Sequence, residues 1–145
     1  MNMEETLNEW FVKIFRDILE IEEKSIKKKY SNMTINDMHV IEAIEPGAGK
    51  NMSTVARTLN VTMGTLTISI NSLVKKGYVN RTRSEKDRRV VLVSLTEAGI
   101  GAYKYHQQFH EEMIQSVIDG LDESEQETLK CALEKLGSFF KNRRG

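Results

Sequence analysis

Residues 53–77 read STVARTLNVTMGTLTISINSLVKKG, two helical patterns with almost no chain between them. Ser53 is placed to cap the first, with Val55, Ala56 and Leu59 inward, and Asn60 supplies a left-handed stop. Thr62 caps the second, which runs to Lys76 and ends at Gly77. So short a link forces the helices to cross closely, and a small residue, Ala56, falls where they touch. Beyond Gly77, YVNRTR and VVLVSL are β-branched runs on either side of SEKDRR, the pattern of a hairpin. Two crossing helices followed by a hairpin make a winged helix-turn-helix, and the fold class expected is mainly α (α+β).

The flanks are helical. Thr34 caps TINDMHVIEAIE, where Ile35, Met38, Ile41 and Ile44 line one face, and Pro46-Gly47 ends it before a loop, PGAGKN. From Glu4 to Lys29 the apolar residues Leu7, Phe11, Ile14, Ile18 and Ile21 recur at helix spacing, and Trp10, Phe15, Leu19 and Ile26 widen the stripe. Such a helix is about 40 Å long at 1.5 Å per residue. A domain this size cannot cover so long an apolar stripe alone, so part of it is expected to meet another chain. Residues 97–119 carry Tyr105, Phe109, Met113 and Val117 at intervals of four. Asp122 with Glu125 forms a capping-box start for a last helix striped by Leu129, Leu133, Leu136 and Phe140. The expected organisation is one domain, 1–145, in which 34–95 is the winged module and 1–30 with 97–145 form a helical homodimerisation layer.

The 145 residues carry no formal net charge, yet the charge is not evenly spread. Residues 50–95 hold nine basic side chains against Glu85 and Asp87, whereas residues 96–136 hold three against nine acids. A basic module beside an acidic one is the electrostatic footprint expected of a nucleic-acid-binding protein. No apolar run approaches a membrane span and the first ten residues lack a secretory pattern, so no membrane role and a cytoplasmic location are expected. Cys131, the single cysteine, rules out an internal disulfide and is expected in the core.

Along the second helix of the turn motif, Met63, Leu66, Ile70 and Leu73 share the face expected to pack inward. Thr65, Ile68, Ser69, Ser72 and Lys76 lie opposite. Hydroxyls suit phosphates or base edges, lysine suits phosphate, and Ile68 suits a thymine methyl. With Ser53, Thr62, Thr67, Lys75, Arg81, Arg83, Lys86, Arg88 and Arg89 they form the candidate DNA-contact set. Arg89, with Arg88 as runner-up, is the first choice for insertion into a minor groove, and Asp87 is assigned the structural task of fixing the hairpin tip.

The order of these elements, with Asp87, Arg89, Leu95, Thr96 and Gly99 spaced as D-x-R, a strand and L-T-x-x-G, resembles the MarR family of dimeric transcriptional regulators over essentially the whole chain. The resemblance implies a winged module between dimerisation helices, no catalysis, no cofactor, and binding to a palindromic double-stranded operator. MHVIEAI, VTMGTLTISINSLVKKGYVNRTRS, DRRVVLVSLTEAG and Phe109-His110 are further similar to the FabT-type repressors of fatty-acid synthesis. That similarity implies long-chain acyl-acyl carrier protein as corepressor. Release by a small phenolic or drug-like ligand, or by an oxidant, is the alternative.

Met33, Met38, Met63, His39, Phe109 and Met113 are the candidate effector residues, since methionines make adaptable apolar walls. His106 and His110 lie four apart with Glu111 alongside, but Gln107 stands where a zincin motif needs glutamate, and spacing supplies no third ligand. No metal site is therefore assigned, although His39 and His106 could join a regulatory metal or carboxylate site across the fold.

Overall fold

The computed structural model describes residues 1–144. Helix α1 (Met3–Lys29) opens on a capping box of Asn2 and Glu5, and α2 (Ile35–Ile44) on one of Thr34 and Asp37. A two-residue strand β1 (Lys50–Asn51) leads into α3 (Met52–Leu59) and α4 (Met63–Lys76). Strands β2 (Val79–Arg83) and β3 (Val91–Leu95) form the hairpin, followed by α5 (Glu97–Asp119) and α6 (Glu123–Arg143). The chain divides into two compact units, Met1–Phe109 and the residues from His110 onward.

In the first unit, local signals place most boundaries. Thr62 Oγ1 accepts the Thr65 amide at 3.1 Å, Asn60 is left-handed at φ 55°, and Gly77 ends α4 at φ 89°. Leu66, Ile70 and Leu73 turn one face of α4 onto Ile26, Met33, Met38, Ile41, Ile44, Val55 and Ala56, all buried. The strand order is β1-β3-β2, antiparallel throughout, with Val79 opposite Leu95 and Arg83 opposite Val91. Val79, Val93 and Leu95 turn inward, while Arg81 and Arg83, on the same face of β2 as Val79, are exposed farther toward the hairpin tip.

Three expectations need correction. Asn51, not Ser53, caps α3: its Oδ1 accepts from the Ser53 amide and hydroxyl, both at 2.8 Å. The loop PGAGKN is not wholly loop, because Lys50 and Asn51 pair with Val93 and Leu92 of β3, which fixes Asn51 at the helix entry. Cys131 is exposed on α6 rather than buried.

In the second unit, α6 opens on a capping box of Asp122 and Glu125, and Gln126 ties its start to the end of α5 by donating to the carbonyls of Ile118 and Leu121. Val117, Ile118, Leu121, Leu129 and Leu133 line an open apolar groove between them. Ile114, Val117, Leu133, Phe139 and Phe140 are each about half exposed. In the first unit, α1 likewise exposes Leu7, Phe11, Ile14, Phe15 and Ile21.

The hairpin is fastened at its base. The Thr96 amide donates to the Tyr78 carbonyl at 3.1 Å, and its hydroxyl donates to the Gly77 carbonyl at 2.7 Å while accepting the Gly99 amide at 3.1 Å. A Cβ at Gly99 would lie 2.1 Å from the Tyr78 carbonyl oxygen, so no other residue fits without moving backbone. Gly99→Ala is therefore expected to cost about 3 kcal/mol or more, at the top of the overpacking range. Gly137→Ala, in open space on α6, is expected to be neutral or to stabilise by up to about 1 kcal/mol. Thermal and urea melts of the two variants decide this, and equal stability would refute the close-approach account.

Candidate nucleic-acid interface

One face of the N-terminal half of α4 is open to solvent. Met63, Thr65, Thr67 and Ile68 are exposed, with Ile68 at 74%. Met63, expected inward, is 47% exposed because the first turn of α4 projects past the packed face that begins at Leu66. Thr65 Oγ1 accepts a hydrogen bond from Thr62 Oγ1 at 3.0 Å, and the Thr67 hydroxyl donates to the Met63 carbonyl at 2.8 Å. Ser69 and Ser72 are half-buried at the rim, and Ser69 Oγ accepts from Asn36 Nδ2 at 3.3 Å. The resulting surface presents apolar groups and hydroxyls at a helix N-terminus, the end that reads base edges in helix-turn-helix proteins.

The cations around it differ in availability. Lys75 is exposed at the end of α4, but the Lys76 ammonium lies 2.8 Å from Oδ2 of the buried Asp37. Lys76 thus pins α4 to α2. Arg81 donates to Asn71 Oδ1, which sets its guanidinium beside α4. Ser53 is exposed in the first turn of α3, its hydroxyl turned to Asn51.

At the hairpin tip, Asp87 grips Arg89 in a two-point pair: Nε to Oδ1 at 3.0 Å and a terminal nitrogen to Oδ2 at 3.1 Å. The Arg89 amide also donates to Oδ1, at 3.1 Å. These bonds, the side-chain one first, hold the Asp87 carboxyl below its ordinary value. The turn is closed by Ser84 N to Val90 O at 2.9 Å and Val90 N to Asp87 O at 2.9 Å, and Arg83 donates to the Arg88 carbonyl. Lys86 and Arg88 are exposed, and the Arg89 side chain is 91% exposed. The clamp fixes a guanidinium in solvent at the tip; as an exposed ion pair it contributes little to stability.

The candidate effector residues are scattered. Met33 and Met38 are fully buried in the core, and Met63 is on the surface of α4. Phe109 stacks on His106 with ring centroids 6.1 Å apart, Met113 lies in the second unit, and His39 Nε2 is 3.1 Å from Glu22 Oε1. The sequence reading missed Asn71 and Asn36, which orient Arg81 and Ser69. It also missed Glu22 and Glu42, which converge on His106 from α1 and α2. No spacing signal links residues so far apart in the chain.

Comparison with known proteins agrees with this geometry. The family model "Transcriptional regulator SarA/Rot" matches residues 23–106. The regulator SarZ of Staphylococcus haemolyticus is 36% identical over 89 residues, and that of Staphylococcus aureus strain USA300 is 39% identical over 85. These matches span 57% and 54% of this chain but only 60% and 57% of the SarZ proteins. Over nearly the full length, the structure of Streptococcus pneumoniae FabT in complex with DNA superposes with TM-score 0.91 and 36% identity, covering 96% of this chain and 98% of that one. The S. aureus MepR–DNA complex shares the fold at TM-score 0.74 and 22% identity, over 90% and 94% of the two chains. With its exposed α4 surface and arginine-tipped wing, the chain belongs to the SarA/Rot family of transcriptional regulators and has the MarR-type winged-helix fold.

Proposed function

We propose that the protein is a cytoplasmic homodimeric repressor that binds a palindromic operator, α4 in the major groove and the hairpin in the adjacent minor groove. The observation that carries this reading is the clamped, solvent-held Arg89 at the tip of a wing whose base is locked to the end of α4. A narrow minor groove concentrates negative potential, and a pre-oriented guanidinium enters it at little cost in side-chain order. Thr62, Thr65, Thr67, Ile68, Ser69 and Ser72 then face bases and sugar–phosphate, and Ser53, Lys75, Arg81, Arg83, Lys86 and Arg88 meet the backbone. Asp87 stays an intramolecular partner.

The exposed apolar residues of α1 and of the second unit supply the surfaces a homodimer would bury. In such a dimer two recognition helices reach half-sites about 34 Å apart. The genes controlled are proposed to be those of fatty-acid synthesis, with long-chain acyl-acyl carrier protein as corepressor. This part rests on the full-length likeness to FabT and on the sequence similarities to that group. The exposed Arg81 and Arg83 would complement an acidic carrier protein.

Binding to DNA from upstream of the protein's own gene, followed by fluorescence anisotropy, tests the reading. Affinity should fall with salt at a log–log slope of about −0.9 per neutralised phosphate. Arg89→Ala should weaken binding about tenfold or more, while Arg144→Ala should change it less than about twofold. Equal losses would remove the wing assignment. Long-chain acyl-acyl carrier protein should tighten binding and the unacylated carrier should not; release by phenolic compounds alone would replace the fatty-acid reading.

Sedimentation should give twice the 16.6 kDa chain mass, with Phe15→Glu and Leu133→Glu each shifting the protein toward monomer. A monomeric wild-type chain that still bound a palindrome with full affinity would overturn the dimer.

Because Arg89 holds the Asp87 carboxyl below its ordinary value, the clamp's contribution is fully present above the usual aspartate pKa of about 3.9. It is lost only as pH falls through the lower folded value. Carboxyl NMR should therefore show Asp87 ionised throughout the range in which DNA binding is measured, and Arg89→Ala should move its titration upward.

A further inference from the structure

Three helices of the first unit bring a buried polar cluster together. Glu22 of α1 has a side chain 4% exposed, His106 of α5 one 1% exposed, and Glu42 of α2 lies at the edge. His106 Nε2 is 3.0 Å from Glu22 Oε1 and also contacts Glu42 Oε1. One ligand atom from each of the three lies within 4.8 Å of the others. His39 Nε2, from α2, reaches the same Glu22 oxygen at 3.1 Å.

We propose that Glu22, Glu42 and His106 form a binding site for a divalent transition-metal ion of the zinc class. A ring nitrogen carries at most one proton, yet two carboxylate oxygens meet at this one. Burying two carboxylates against a single imidazole is costly unless positive charge joins them. A metal-bound imidazole is neutral, so a divalent ion with these three ligands leaves no net charge. Zinc binds nitrogen and carboxylate oxygen at about 2.0 to 2.2 Å, which puts tetrahedral ligand atoms about 3.4 Å apart. The observed 3.0 Å separation reaches that value with a small side-chain rotation. The mixed imidazole and carboxylate set favours a zinc-class ion over magnesium and calcium, which prefer oxygen ligands. His39 acts as the outer partner that orients Glu22.

The site is also wired to the DNA-binding surface. Helix α2 carries Glu42 and His39 and, nearer its start, Asn36 and Asp37, which hold Ser69 and Lys76 of α4. Metal binding draws α1, α2 and α5 together and thereby sets the position of the recognition helix. This regulatory consequence rests on the DNA-binding reading; the metal site does not.

The test uses full-length protein freed of metal by a chelator, with zinc alone as the probe against a chromophoric competitor. Wild type should bind about one zinc ion per chain, with an X-ray absorption spectrum showing nitrogen and oxygen ligands and no sulfur. Glu42→Gln, which keeps volume at a partly exposed position, and His106→Gln should each weaken zinc binding at least about tenfold, with circular dichroism confirming that they fold. His39→Ala should weaken it about 10- to 100-fold, the range for an outer partner. Cys131→Ser should leave it unchanged. No zinc bound by folded wild type, sulfur among the ligands, or unchanged affinity in Glu42→Gln and His106→Gln would each overturn the site. Zinc should change operator affinity in wild type and not in Glu42→Gln; zinc binding without that change would overturn the regulatory link. DNA binding by the metal-free protein is read separately, so failure of the metal site and failure of the DNA reading are told apart.

Discussion

The seam at Gly77, Tyr78, Thr96 and Gly99 is the constraint on which the DNA-facing architecture depends. Gly77 turns the chain out of α4 with φ 89°, and the Tyr78 carbonyl that follows accepts the amide of Thr96. Thr96 ties the Gly77 carbonyl to the Gly99 amide with one hydroxyl. The end of the recognition helix, both strands of the wing and the start of α5 are therefore fastened within a few residues of one another. A register slip of one residue in β3 would reverse the faces of Val93 and Leu95 and open the core. The distance from the α4 surface to Arg89 is thus set by backbone bonds and packing rather than by the charges it serves.

That separation of tasks explains the uneven use of cations. Lys76 is spent inside the fold, because Asp37 is buried and belongs to the α2 capping box as well as to the ion pair. Breaking such a pair from one side leaves a buried charge, which is far more damaging than loss of an exposed pair. The wing arginines carry the opposite balance. Their pairs are solvent-exposed and contribute little stability, so their geometry can be kept for a partner of opposite charge.

Sequence revealed most where structure is decided locally. Thr34, Thr62 and Asp122 as caps, Asn60 and Gly77 as stops, and Leu66, Ile70 and Leu73 as an inward face all follow from short-range rules, and all are found in place. Ser53 was misread because Asn51 is fixed by pairing with Leu92, a contact across forty residues. Met63 and Lys76 lie at the two ends of α4, where helical periodicity does not say whether a neighbour is present to cover the side chain. Lys76 has Asp37 and Met63 is left exposed. Among the site residues, the wing was legible as a compact motif of adjacent cations. The meeting of Glu22, Glu42 and His106 was not, since they come from three helices and share no spacing.

Helix α2 makes that distant cluster relevant to the DNA surface. It is only ten residues long and six of them are buried, so its position is fixed by packing against its neighbours. One part holds His39 and Glu42 against Glu22 and His106, and the other holds α4 through Asn36 and Asp37. Coupling free energies between sites are typically about 1 to 3 kcal/mol, or roughly 5- to 150-fold in affinity. A hydrogen bond to a charged group is worth about 1.5 to 3 kcal/mol. Tightening or loosening the single Lys76–Asp37 contact is therefore enough to supply a coupling of that size. Under the metal-site proposal, control of DNA affinity needs no large domain rotation; it needs only that the ion at α2 discriminate between two positions of one short helix.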